Sequence, residues 1–124
     1  MFYLVVFIGG GIGSMLRHGV NVICARLFGI GFPFGTFAVN VSGSIVMGLL
    51  AGYFAFKGEA TQIWRLFLMT GILGGYTTFS AFSLDSVLLF ERGQCGLAAL
   101  YVVASVVLSI GGLFAGLALM RYVT

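Results

Sequence analysis

The sequence predicts an all-α membrane protein of four transmembrane helices, on three observations. Hydrophobic residues make up 60% of the 124-residue chain and charged residues only 7%. Mean hydropathy is +1.16. The apolar residues fall into four long runs separated by short polar or Gly/Pro-containing breaks. A soluble domain carries about 25% charged residues, and six Lys/Arg with three Asp/Glu cannot cover a water-facing surface. A spanning helix takes roughly 20 apolar residues. Four such spans with short turns use residues 1–124 as a single four-helix unit and leave no room for a soluble domain.

The first span is expected from about Phe2 to Phe28, closed by Gly29-Ile30-Gly31-Phe32-Pro33. The opening MFYLVVFIGGG lacks a basic n-region and a small-x-small cleavage site, so it reads as span rather than secretory leader. The second span runs from about Phe34 to Phe56 and ends at Lys57-Gly58-Glu59. The third runs from about Ile63 to Phe90, before Glu91-Arg92-Gly93-Gln94, and the fourth from about Gly96 to Met120, before Arg121. Connections this short make sequence neighbours pack antiparallel.

Cys24 and Cys95 lie in separate segments and imply neither a disulfide framework nor a metal knuckle. The net charge of +3 comes from scattered residues that form no patch for nucleic acid, and they suit interfacial anchors. Lys57, Arg65 and Arg121 fall on the side of the N-terminus, and Arg17, Arg26 and Arg92 on the other. If Arg17 lies within the membrane, the second group falls to two. Orientation follows an imbalance of Lys and Arg across the bilayer. Here the bias is about nil, so the chain is expected to insert both ways and to pair as an antiparallel, dual-topology homodimer.

Twenty glycines suit close helix contact in lipid. Gly9/Gly13, Gly71/Gly75 and Gly112/Gly116 are GxxxG pairs, and Asn40, Ser44, Gly48 and Gly52 share one face of the second helix. Small-xxx-small faces let backbones approach.

The third span contains Gly74-Gly75-Tyr76-Thr77-Thr78 near its middle. Adjacent glycines followed by β-branched threonines are poor material for a helix interior, so a helix broken at mid-membrane is expected. Breaks at that depth need partners for the freed backbone groups, and transporters use them to present carbonyls to cations and N–H groups to anions. Polar side chains gather on the same region. Asn40 sits near the start of the second helix, Ser80 and Ser83 share a face of the third, and Phe79 and Phe82 an adjacent one. Tyr101, Ser105 and Ser109 recur at i, i+4 and i+8 on the fourth. Buried carboxylates, the usual mark of cation or proton paths, are nearly missing: Glu59 and Glu91 fall in loops and Asp85 towards a helix end. Hydroxyls, an amide and the positive edges of Phe rings suit a small, hard anion.

The run Gly74-Gly75-Tyr76-Thr77-Thr78-Phe79-Ser80-Ala81-Phe82-Ser83 resembles the GGxTTFSTFS signature of the Fluc (CrcB-type) fluoride channels. Gly9-Gly10-Gly11-Ile12-Gly13-Ser14 through Arg17 resembles that family's first-helix motif, and Pro33, Gly35-Thr36 and Asn40 its PxGTxxxN segment. The resemblance implies a multi-pass protein of the cell inner (plasma) membrane. It would be an antiparallel homodimer with two pores that passively exports fluoride, and not an enzyme. It implies a structural sodium ion (Na+) on the carbonyls of Gly74 and Thr77, and Arg17 at a vestibule. It further implies a fluoride path along Asn40, Phe79, Phe82, Ser80, Ser83, Tyr101, Ser105 and Ser109. Two residues depart from the pattern: Ala81 replaces the usual Thr, and Asp85 a common Glu.

The nearest rival is a proton-coupled exporter of the small multidrug resistance type, which needs a first-helix carboxylate. Phe2 to Phe28 contains no Asp or Glu. A purely structural subunit would leave the gathering of polar residues without a purpose. Hydrolytic chemistry lacks material, since His18 is the only histidine and no acid is placed to pair with it.

Overall fold

The computed structural model describes residues 2–57 and 62–123; Gly58 and Glu59, placed above at the end of the second span, lie outside the described residues. Four stretches are long and apolar enough to cross a membrane. They are α1 (Phe2–Phe28), α2 (Phe34–Lys57), a segmented third span over Gln62–Glu91, and a long fourth helix over Cys95–Val123. The third span comprises α3 (Gln62–Arg65), a π-helix (Leu66–Leu73), α4 (Gly74–Tyr76) and α5 (Phe79–Glu91); the fourth helix is α6.

Span ends fall where the residues dictate. Gly29 (φ +79°) and Gly93 (φ +80°) adopt the left-handed conformation that ends a helix, which a side chain would resist. Gly29 N–H donates to Ala25 O at 3.0 Å, while Gly93 and Gln94 donate back to Phe90 O and Leu89 O, both at 3.0 Å. α6 continues through Arg121 to Val123, past the Met120 boundary expected from charge. A cation in the last turn complements the helix dipole and gives no reason to stop.

Large apolar side chains are exposed along every span, among them Phe7, Leu27, Val107, Phe114 and Leu119. Such a surface is what lipid requires. Hydrophobic collapse cannot hold helices together when the surroundings are equally apolar, so close backbone contact must do so. The glycine pairs provide it, and each finds a distinct partner. Gly9 and Gly13 receive the third span: a Cβ on Gly9 would stand 2.8 Å from Phe67 O and 3.0 Å from Gly71 Cα, and one on Gly13 2.8 Å from Tyr76 N. Gly112 and Gly116 receive α2, a Cβ on Gly116 falling 2.6 Å from Ile45 O. Gly48 and Gly52 answer from α2 against Leu113 and Met120. α2 with α6 forms the most extensive helix pair, and α1 with the π-helix the next.

The break was expected somewhere within Gly74-Gly75-Tyr76-Thr77-Thr78, and the dihedrals divide that stretch in two. Both glycines stay helical in α4. Their lack of a side chain serves packing, since a Cβ on Gly75 would strike Gly10 O. Helical dihedrals end instead at Thr77 (φ −85°, ψ 158°) and Thr78 (φ −152°, ψ 126°) and resume at Phe79. β-Branched residues prefer extended backbone, and Thr78 then caps α5, its Oγ1 accepting from Ala81 N–H at 3.2 Å. The Leu66–Leu73 π-helix has no counterpart in the sequence expectations.

Candidate functional site

The extended Thr77–Thr78 step leaves backbone groups without helical partners, and α2 supplies one set. Asn40 Nδ2 donates to Thr78 O at 2.9 Å and Asn40 Oδ1 accepts from Thr78 N–H at 2.8 Å. One amide thus replaces both ladder bonds of a residue 38 positions away. Tyr76 OH and Ser42 Oγ lie 3.0 Å apart, tying the preceding residue to α2 as well. From the other flank, Arg17 Nε of α1 donates to Gly75 O at 3.1 Å. Thr77 folds back on its own helix, with N–H and Oγ1 both donating to Leu73 O at 3.0 and 2.9 Å.

Beside this step lies an open cleft of about 280 Å³, lined by Asn40, Ser44, Thr77, Thr78, Phe79, Phe82, Ser105, Val106, Ser109 and Ile110. Most of the wall is apolar. Two of its polar groups are unusual: Ser105 Oγ and Ser109 Oγ are buried and have no hydrogen-bond partner among the described residues. Ser105 is only 4% exposed. A buried hydroxyl without a partner costs roughly 1–3 kcal/mol. Such groups in native proteins call for a reason, commonly an unseen ion or water.

Of the path residues expected from sequence, Asn40, Phe79, Phe82, Ser105 and Ser109 come together on this cleft. The two rings are 5.6 Å apart with planes at 49°, Phe82 only 8% exposed and Phe79 77% exposed on the single chain. Tyr101 does not line the cleft. Its ring is wholly buried against Phe82 (5.2 Å) and edge-on to Phe32 (5.4 Å), and its hydroxyl donates to Asp85 Oδ2 at 3.3 Å. The short Asp85 side chain therefore still reaches a partner.

Ser80 and Ser83 of the third span also stand apart from the cleft. Ser83 Oγ donates to Phe79 O at 3.0 Å, a local back-bond that consumes its only proton, and Ser86 does the same to Phe82 O at 2.8 Å. Ser80 Oγ lies 3.4 Å from Thr78 Oγ1 on an exposed face. Gly74, the first residue of α4, is exposed, and Thr77, just past its carbonyl end, is half-buried. Among the described residues no three His, Cys, Asp or Glu side chains cluster to hold a metal.

Thr78 is the residue to which sequence reasoning assigned no role. A Thr just before an apolar run is an N-cap signal, but Ala81 stands where the acid of a capping box would reinforce it. Val106 and Ile110 were unassigned and Ser44 was read only as part of a packing face; the meeting of α2 with α6 brings all three to the cleft.

Fold and cleft together define a multi-pass α-helical membrane protein whose spans meet around an open, sparsely polar recess. The chain belongs to the CrcB family: residues 4–117 match the model described as CrcB-like protein, Camphor Resistance (CrcB). It is 70% identical over 124 residues, all of both chains, to a Nitrobacter hamburgensis protein named fluoride-specific ion channel FluC 2. A Rhodopseudomonas palustris protein named fluoride-specific ion channel FluC is 68% identical over the same full length. One of that name from Methylobacterium nodulans is 58% identical, covering 95% of this chain and 94% of its own.

Proposed function

We propose that the chain is a fluoride channel of the cell inner membrane, letting fluoride leave the cytoplasm by passive electrodiffusion, with no chemical step. The observation that carries this reading is the pair of unpartnered buried hydroxyls, Ser105 and Ser109, on a cleft that also holds Phe79, Phe82 and Asn40. Fluoride gives up its water at greater cost than any other halide, so replacement donors must be close and otherwise unengaged. Two hydroxyls whose protons have no other acceptor meet that need. Phe ring edges carry partial positive charge and add contact without a competing acceptor. The names of the full-length relatives support the same ligand. Neutral HF that enters a cell ionises inside, and an inside-negative potential drives the anion out at about 2.3 kcal/mol per 100 mV. Vesicles holding the purified chain are expected to release fluoride and retain chloride; equal release of both would reject the selectivity.

The finer architecture belongs to the same proposal. The extended Thr77–Thr78 step lies at mid-membrane, and a second copy, inserted antiparallel, closes the cleft that one chain leaves open. Phe79, 77% exposed on the single chain, favours a covering partner. Arg17 lies inside α1 and bonds to Gly75, so the flanking charges are Lys57, Arg65 and Arg121 against Arg26 and Arg92. That difference of one is a weak orienting signal. A cysteine added at either terminus is expected to react with an impermeant maleimide from both sides of the membrane. Labelling from one side alone removes the antiparallel pair.

A sodium ion fits the Gly74 and Thr77 carbonyl oxygens chemically. These are hard oxygen donors, the sort that hard cations select, at the carbonyl end of a helical run where the dipole favours positive charge. Thr77 ψ of 158° takes its carbonyl out of the helical ladder. Such an ion would supply fixed positive charge beside the anion path.

A further inference from the structure

Three residues of α1, spaced by four, act on the third span in sequence. Gly9 and Gly13 let its backbone approach, and Arg17, one further step along the same face, delivers a donor to Gly75 O at 3.1 Å. Gly75 is two residues before Thr77, where helical dihedrals have ended. Carbonyls at that position have no helical partner of their own and attract cationic donors. We infer that Arg17 is a positioning residue: its Nε–H pins the carbonyl end of the helical run, so that the extended step starts at Thr77 and α5 presents Phe79 and Phe82 to the cleft. The inference rests on the fluoride-channel reading, but it gives Arg17 a bonding role in place of attraction of anions by charge. Asn40 of α2 fixes Thr78 from the opposite flank, so the two helices hold the two sides of the step independently.

Which nitrogen makes the bond decides the test. The donor is Nε, attached to Cδ, and not a terminal guanidinium nitrogen. Glutamine also carries its amide nitrogen on Cδ, so Arg17→Gln keeps an N–H at the same number of bonds from the backbone and deletes the charge. Arg17→Lys keeps the charge and moves the donor one atom outward. Arg17→Met removes both. The parent and the three variants are reconstituted into liposomes at equal protein, and fluoride efflux, chloride leak and the thermal midpoint in detergent are read.

A positioning role predicts that Arg17→Gln stays within about threefold of the parent flux while Lys and Met fall about tenfold or more, as loss of a bond to a charged donor implies. It also predicts that the fluoride-to-chloride ratio drops in Lys and Met but holds in Gln, a readout that mere loss of stability would not move. The reverse order, Lys active and Gln inactive, assigns Arg17 to attraction by charge and overturns the inference, as does equal flux in all four. If Arg17→Met fails to fold, the Gln and Lys pair still decides. A parent that carries no fluoride removes the channel reading instead, and the order of thermal midpoints, Gln above Lys, then tests the bond alone.

Discussion

Asn40→Asp is expected to reduce fluoride flux by about a hundredfold or more while changing side-chain volume hardly at all. The substitution keeps an acceptor for Thr78 N–H but turns the donor to Thr78 O into a second carboxylate oxygen. Two oxygens facing each other across 2.9 Å in a span repel, and leaving the carbonyl unpaired alone costs about 1–3 kcal/mol. The same carboxylate would put negative charge on the wall of the cleft, which an anion path cannot carry at close range. Asn40→Ala removes both bonds without adding charge or repulsion and is expected to spare more flux per folded molecule than Asn40→Asp. Efflux from liposomes together with gel filtration in detergent separates the two. Flux in Asn40→Asp equal to that of the parent would show that neither the clamp nor the sign of the charge matters.

The second large effect has opposite signs in its two readouts. Ser105→Ala with Ser109→Ala is expected to leave the thermal midpoint unchanged or raised, and to cut fluoride flux by about tenfold or more. Neither hydroxyl has a partner among the described residues to lose, so replacing it by a methyl removes an unsatisfied polar group from the wall. Were these hydroxyls helix glue instead, the double variant would lose about 0.6 kcal/mol per bond and the midpoint would fall. A fall in stability with flux preserved would return both serines to packing.

Much of this architecture is legible in the sequence because lipid makes simple demands. Long apolar runs set off by Gly29-to-Pro33 and by Arg92-Gly93 gave span limits within a few residues of those found. Four-residue spacing of small residues marked the packing faces. What spacing cannot give is the partner of each face: Gly9 and Gly13 could as well have met Gly112 and Gly116 as the π-helix. The π-helix itself was invisible, since Leu-Phe-Leu-Met-Thr-Gly-Ile-Leu reads as any apolar helix; in the structure it packs against α1. Over Gly74 to Thr78 composition marked the stretch but not the residues within it, because tight packing keeps the glycines helical and the extended backbone falls to the threonines.

The cleft was legible in part for a related reason. Ser83 and Ser105 look alike in sequence, yet one proton is spent on Phe79 O four residues back and the other has no acceptor. That difference depends on which wall each serine faces, a tertiary fact. Asn40 stood out as a polar residue with no evident local role, but its two hydrogen bonds with Thr78 could not be read from either segment alone.

Everything functional here depends on unengaged donors meeting one small halide. The most direct measurement loads liposomes containing the purified chain with potassium fluoride or potassium chloride, adds valinomycin, and follows each anion with an electrode. Rapid fluoride release with chloride no faster than in protein-free vesicles is the predicted result. Chloride release at the fluoride rate, or fluoride held as tightly as in empty vesicles, would contradict it.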